Sequence, residues 1–210
     1  MNHWDKIHKL YYSKAEWIDK HNPSAQELLR HIKKGEHVLD IGGGQGQDTE
    51  FFVNNGCEVT LLDGSQQAIK YARNRLENKA VQFVEHGLDK GRLPFEDAVF
   101  DAVYGHLSLH YFSAERTRVI FEEISRILKK QGKIFVVCNT KNDEEVGREQ
   151  NIQLEEDFYK MPDGQNKRYF SVQDFRVFTK NLFVEKICDE KATTYKDGDK
   201  ELVRFIGIKI

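Results

Sequence analysis

Three groups of residues in this 210-residue chain have the types and spacing to do chemistry. The first is Asp40-Ile41-Gly42-Gly43-Gly44-Gln45-Gly46, an acid that ends a short apolar run and is followed by four glycines. Glycine tolerates positive φ and lets a ligand approach the backbone closely. A helix opening behind such a turn offers unpaired N–H groups and partial positive charge. The second is Asp63, which ends the next apolar run about 20 residues later, where a carboxylate can accept from both hydroxyls of a ribose. The plainer role for Asp63 is a helix-entry acid ahead of Ser65. The third is Gly105-His106-Leu107-Ser108-Leu109-His110-Tyr111, which supplies two imidazoles as general-base candidates. A dinucleotide turn has the form GxGxxG, but the position three after Gly44 is Gln47. The strand-end acid Asp40 suits a cationic ligand, which a dinucleotide is not.

The elements that must position these residues alternate. His37 to Ile41, Glu58 to Asp63, Val81 to Glu85, Val99 to Tyr104 and Lys133 to Cys138 read as strands separated by helix-length segments. Ser24 with Glu27 forms a capping-box signature for a helix through Ile32, while Ser65, Ser113 and Ser171 cap later ones. Phe183 to Asp189 and Leu202 to Ile210 read as closing strands joined through Lys196-Asp197-Gly198-Asp199. The expected fold is α/β and doubly wound. Its seven-stranded, mostly parallel sheet carries helices on both faces and ends in an antiparallel hairpin. Such sheets bind ligands outside the carboxyl ends of their strands, which makes Asp40, Asp63, Tyr104 and Cys138 markers of the functional edge.

Two segments fall outside the alternation. Residues 1–34 carry Trp4, Ile7, Leu10, Tyr11, Trp17 and Ile18 at helical spacing and read as a helical lid on the domain formed by residues 35–210. Residues 139–170 are polar and weakly periodic, including Glu144 and Glu145, and read as an irregular insertion on the substrate side. Composition limits the partners. Thirty-two basic and 34 acidic residues leave a net charge of −2, which argues against a nucleic-acid binder. No signal peptide and no run of ~18 apolar residues is visible, so the expected location is cytoplasmic, with no membrane partner. Cys57, Cys138 and Cys188 are widely spaced and read as reduced, buried thiols. No metal site is expected.

Val38 to Gly46 resembles motif I of the class I S-adenosylmethionine-dependent methyltransferases, and Thr60 to Ser65 resembles the strand-end acid motif that follows it. Leu93-Pro94-Phe95 running into Phe100-Asp101-Ala102-Val103 is similar to a stretch found in many small-molecule members. Leu128 to Lys133 resembles the turn before the fifth strand, with Gln131 in place of the first glycine. The resemblance implies S-adenosyl-L-methionine as cofactor and a small-molecule methyl acceptor. It implies that Asp40, Gly42, Gly44 and Gly46 line the methionine part. Asp63 and Gly64 would then meet the ribose, and Leu88 and Asp89, at the end of the third strand, the adenine. Glu155-Glu156-Asp157 with Arg168-Tyr169-Phe170-Ser171 resembles bacterial methyltransferases associated with tellurite resistance.

A sulfonium methyl is already electrophilic, so transfer needs chiefly orientation, and a base is needed when the nucleophile arrives protonated. His106 and His110 are the catalytic candidates; Tyr111, Arg168 and Tyr169 are the substrate candidates. A lid tyrosine, Tyr11 or Tyr12, is expected over the sulfonium or a cationic acceptor, where a ring face favours positive charge. His3, His8, His21, His31 and His37 have no partner pattern and read as incidental. The competing functions are a cofactor-binding module without turnover or acting on a protein partner, and a nicotinamide-dependent reductase, which Gln47 and the acid-led turn disfavour.

Overall fold

The computed structural model describes residues 3–12, 20–143, 146, 149–195 and 198–210. Trp17 and Ile18 of the expected lid, Glu144 and Glu145 of the insertion, and Lys196 and Asp197 of the hairpin turn lie outside them, as does the side chain of Tyr11. Strands β1 (His37–Ile41), β2 (Glu58–Asp63), β3 (Val81–Glu85), β4 (Phe100–His106) and β5 (Leu128–Asn139) pair in parallel; β10 (Gly198–Lys209) and β9 (Phe183–Tyr195) close the sheet antiparallel. The order is β3-β2-β1-β4-β5-β10-β9. This is the expected seven-stranded, doubly wound sheet with its C-terminal hairpin.

Strand alternation builds both faces. Val38, Val59, Ala102, Tyr104, Phe135 and Val137 point to one side, where they pack with Leu28 of α2 (Pro23–Leu29) and Phe52 of α3 (Gln47–Asn54). On the same side, Leu61 meets Ile69 and Ala72 of α4 (Gln66–Arg75). Leu39, Ile41, Val103, Ile134 and Val136 point the other way, against Phe121 and Ile124 of α5 (Ala114–Ile127) and Phe175 and Phe178 of α6 (Val172–Thr179). Serine hydroxyls start three of these helices: Ser65 and Ser113 each accept from the amide three residues on, and Ser171 forms a full capping box with Asp174.

Several expected boundaries move. The capping box of Ser24 and Glu27 does not form: Asn22 is the N-cap of α2, the Ser24 hydroxyl meets Tyr104 and His106 instead, and Glu27 pairs with Arg204. Buried hydroxyl and imidazole groups cost more to leave unpaired than an N–H near solvent, so tertiary partners win over the local cap. Helix α2 ends at Leu29 rather than Ile32. Helix α5 ends at Ile127 and β5 starts at Leu128, five residues before the expected Lys133. Gln131 takes the left-handed conformation (φ 62°) where the related motif has glycine. Strand β3 ends at Glu85, which leaves Leu88 and Asp89 in the loop beyond it.

The 139–170 segment is not irregular throughout. β6 (Ile152–Glu155), β7 (Phe158–Lys160) and β8 (Asn166–Arg168) form a separate antiparallel sheet. Helix α1 (His3–Tyr12) packs on α4: the Asp5 carboxylate accepts from Ser65 Oγ (2.7 Å) and Gln67 N (3.2 Å), doubling the cap at that N-terminus. Among the described residues, no helix is long and apolar enough to cross a membrane.

Candidate functional site

Strand order reverses between β1 and β4, and a cavity of about 1200 Å³ opens at the carboxyl ends of those strands. A site for one small ligand typically measures ~300–1,000 Å³, so a second molecule fits beside the first. The glycine turn forms its inner wall through Gly42, Gly43 and Gly44. Gly42 has φ +74°, and a Cβ there would stand 2.3 Å from Ser108 Cβ. A Cβ on Gly43 would meet the Asp40 carboxylate at 2.8 Å. The amides of Gly42 and Gly43 both donate to Leu62 O, which ties the turn to β2.

Gly46 stands apart. It was expected to line the cofactor, but it caps α3 in the left-handed conformation, and its Cβ position faces Leu76 and Ala72 of α4, outside the cavity. Its role is close helix packing.

Three buried carboxylates crowd the same wall. Asp40 accepts from Thr49 Oγ1 (2.6 Å). Asp48, in the first turn of α3, accepts from Asn22 N (2.7 Å), Asn22 Nδ2 (2.8 Å) and the Tyr104 hydroxyl (2.8 Å). Asp63 accepts from Gly44 N (2.9 Å) and Ser65 N (2.8 Å). Those two bonds leave about two of its roughly four lone-pair sites for a diol. Burial pushes the Asp63 carboxyl up, and the His8 imidazole beside it pulls it back. Burial, reinforced by the Asp48 charge, pushes Asp40 up to about 8.

That shift has a sign. The folded value lies above the ~3.9 of an unfolded aspartate, so the unliganded protein holds a proton that the unfolded chain has lost. Its stability is full below about pH 4, falls as pH rises toward 8, and levels off beyond. We expect Asp40→Asn to remove this loss. Chemical denaturation at pH 8 should show a gain of about 1–2 kcal/mol, roughly 2–8 °C in Tm, and the gain should vanish at pH 4. An unchanged pH dependence in the variant would show that Asp40 is already ionised.

Across the cavity, Gly64, Leu88 and Asp89 line the wall. Arg116 donates to Leu88 O (2.6 Å) and Gly91 O (2.7 Å), fixing that loop and committing its guanidinium to carbonyls. On the β4 side, His106, His110 and Tyr111 all line the cavity, and Tyr111 meets the Trp4 ring edge-on at 4.6 Å. His106 Nδ1 lies 2.9 Å from Ser24 Oγ. Burial holds the His106 imidazole below its usual range, against the pull of Asp48.

Three candidates fall elsewhere. Tyr12 stacks on Tyr71 of α4 with centroids 3.6 Å apart and lies one helical turn beyond His8, outside the cavity. Arg168 is buried against Glu155 and donates to Phe112 O and Glu156 O, so it anchors the small sheet. Tyr169 packs on Tyr159 and is also outside the cavity. In their place α1 contributes His3, Trp4, Ile7 and His8, two of them histidines taken as incidental. Gln45 Nε2 donates to His8 O (3.2 Å), and Gln165 Nε2 lies 2.9 Å from His3 Nε2, so α1 bridges the glycine turn and the β7–β8 hairpin. Asp48, Ser108 and Asn139 were likewise not singled out by the sequence. Asp48 resembles any first-turn acid until the fold sets it beside Tyr104.

The chemistry of the wall is selective. A diphosphate would meet three buried carboxylates, whereas a ligand with cationic ammonium and sulfonium centres and a ribose diol would find counter-charge, acceptors and a glycine cradle. The residues present fit S-adenosylmethionine.

Comparison with known proteins agrees. Residues 39–136 match the family model described as "Methyltransferase domain". The chain is 34% identical over 120 residues to the demethylmenaquinone methyltransferase of Tropheryma whipplei (strain Twist), a match covering 57% of this chain and 48% of the relative. It thus spans about half the length of such curated relatives. Burkholderia thailandensis 1,6-didemethyltoxoflavin-N1-methyltransferase, solved with its acceptor and S-adenosylhomocysteine, superimposes with TM-score 0.73 at 18% identity, covering 98% of this chain and 85% of that one. TehB from Haemophilus influenzae, consistent with the resemblance of the 155–171 region, superimposes with TM-score 0.69 at 15% identity, covering 98% and 66%. Residues 39–136 thus match a methyltransferase domain, and the chain has the fold of solved methyltransferases.

Proposed function

We propose that the chain binds S-adenosyl-L-methionine in this cavity and transfers its methyl group to a small-molecule acceptor. The observation that carries the reading is the placement of Asp40, Asp48 and Asp63 around a turn that has no room for a side chain at Gly42 or Gly43. This wall suits a cationic nucleoside and repels a dinucleotide. The acceptor would lie on the β4 side, beside His106, His110 and Tyr111. A small acceptor is favoured because α1 and the β7–β8 hairpin both border the cavity and are bridged to each other across it. Three free thiols support a cytosolic setting, and burial pushes the Cys188 thiol up to about 12, which disfavours it as a nucleophile.

When bound, the cofactor supplies an electrophilic methyl. The protein supplies orientation through the turn and Asp63, and a water-poor chamber under α1. The test is release of S-adenosylhomocysteine against a panel of phenol, amine, thiol and activated-carbon acceptors, quinol precursors included. Turnover on at least one small acceptor is expected. Turnover restricted to protein or RNA, or cofactor binding without turnover on any acceptor, would contradict the reading.

A further inference from the structure

A buried chain of hydrogen bonds runs from α3 to the cavity: Asp48 Oδ2 to Tyr104 hydroxyl (2.8 Å), Tyr104 hydroxyl to Ser24 Oγ (2.7 Å), and Ser24 Oγ to His106 Nδ1 (2.9 Å). Its direction follows by elimination. Asp48 receives three donors and, as a carboxylate, can only accept, so the single Tyr104 proton points at it. The Ser24 proton must then point at Tyr104. Ser24 Oγ is left as an acceptor, so His106 Nδ1 must carry a proton and donate. In a neutral imidazole Nε2 is then a bare lone pair. His106 Nε2 is buried at the cavity and has no hydrogen-bond partner among the described residues. Asn139 Oδ1 is in the same condition, two residues beyond the β5 partner of His106 and on the same face of the sheet. Two buried acceptors without donors thus belong to residues that line one cavity, and unmet acceptors of this kind are costly.

We infer that His106 Nε2 is the general base for an acceptor that arrives bearing an acidic O–H, N–H or C–H, and that Ser24, Tyr104 and Asp48 are positioning residues that hold it in the Nδ1–H form. The inference rests on the methyl-transfer reading and adds the class of acceptor. As the acceptor atom bonds to the methyl carbon, its proton passes to Nε2. The carbon–sulfur bond breaks, and its electron pair goes to the neutral sulfur. The resulting imidazolium keeps its Nδ1–H bond to Ser24 and is stabilised by Asp48 through the relay. Asp48 is the charged group acting on His106 from α3; Tyr104 and Asp40 lie on β4 and β1, and Lys20 and His110 line the same cavity. An acceptor that attacks through a lone pair without losing a proton, such as a thioether, has no use for this arrangement.

Heteronuclear NMR on the full chain labelled at the histidine ring nitrogens, with S-adenosylhomocysteine present and His106→Gln used for assignment, reads the tautomer directly. At about pH 7 the His106 ring should carry its proton on Nδ1. Ser24→Ala should shift it toward the Nε2–H form, and Ser24→Thr, which keeps the hydroxyl, should restore it. A proton on Nε2 in the wild type overturns the relay. This readout does not depend on turnover, so failure of the methyl-transfer reading is seen separately. With any acceptor that turns over, His106→Gln should lower kcat about 100- to 10,000-fold with little change in KM, and an unchanged kcat would overturn the base assignment.

Discussion

Replacing Asp63 with alanine is expected to weaken S-adenosylmethionine binding about 100- to 10,000-fold. Each hydrogen bond from a ribose hydroxyl to a carboxylate contributes about 1.5–3 kcal/mol, and the site offers room for two. The loss also frees the amides of Gly44 and Ser65, which Asp63 holds at 2.9 and 2.8 Å, and so loosens the turn at both ends. Asp63→Asn separates these effects. It keeps an oxygen for one of the amides but places a donor among donors, and it should fall between wild type and alanine. Calorimetric titration of the three proteins measures this. If Asp63→Ala binds within threefold of wild type, Asp63 serves the turn alone.

The second large effect is steric. Gly42→Ala is expected to destabilise the domain by about 2–5 kcal/mol: a left-handed backbone costs a non-glycine residue roughly 1–2 kcal/mol, and the contact with Ser108 adds about 1–3. The built Cβ stands 2.3 Å from Ser108 Cβ, a separation that requires one strand end to move. Ser108 is itself held, donating to Ile41 O at 2.6 Å, so the β1 and β4 ends cannot part cheaply. Pairing Gly42→Ala with Ser108→Gly removes the clash but not the φ penalty. Urea denaturation of the double variant should recover about half of the loss, a coupling that a double-mutant cycle isolates. Additive effects would place the strain elsewhere.

The donor half of the site was legible because its chemistry is local. Asp40, the glycines and Asp63 sit at strand ends that hydrophobic alternation locates, and the ligand class follows from their charge and spacing. Gly46 misled for the same reason: it belongs to the motif by spacing, yet the turn rotates it toward α4, which only the packed structure reveals. The acceptor half was less legible because it is assembled across long sequence separations. Ser24 looks like a helix cap until the fold sets Tyr104 and His106 beside it, 80 and 82 residues on. His8 carries no pattern and Trp4 only the spacing of a helix, and they become cavity wall because Asp5 docks α1 on the start of α4. Arg168 and Tyr169 are buried in contacts that also have no local signature.

Side-by-side calorimetry of the wild-type chain with S-adenosylmethionine and with NADH tests the central claim most directly. The acid-walled turn predicts saturable one-to-one binding of S-adenosylmethionine at about pH 7. Because Asp40, held near 8 in the free protein, ionises against the cation, binding should release up to one proton, seen as an enthalpy that changes with the buffer's ionisation heat. NADH should give no saturable heat. Saturable binding of NADH, with none of S-adenosylmethionine, would contradict the account.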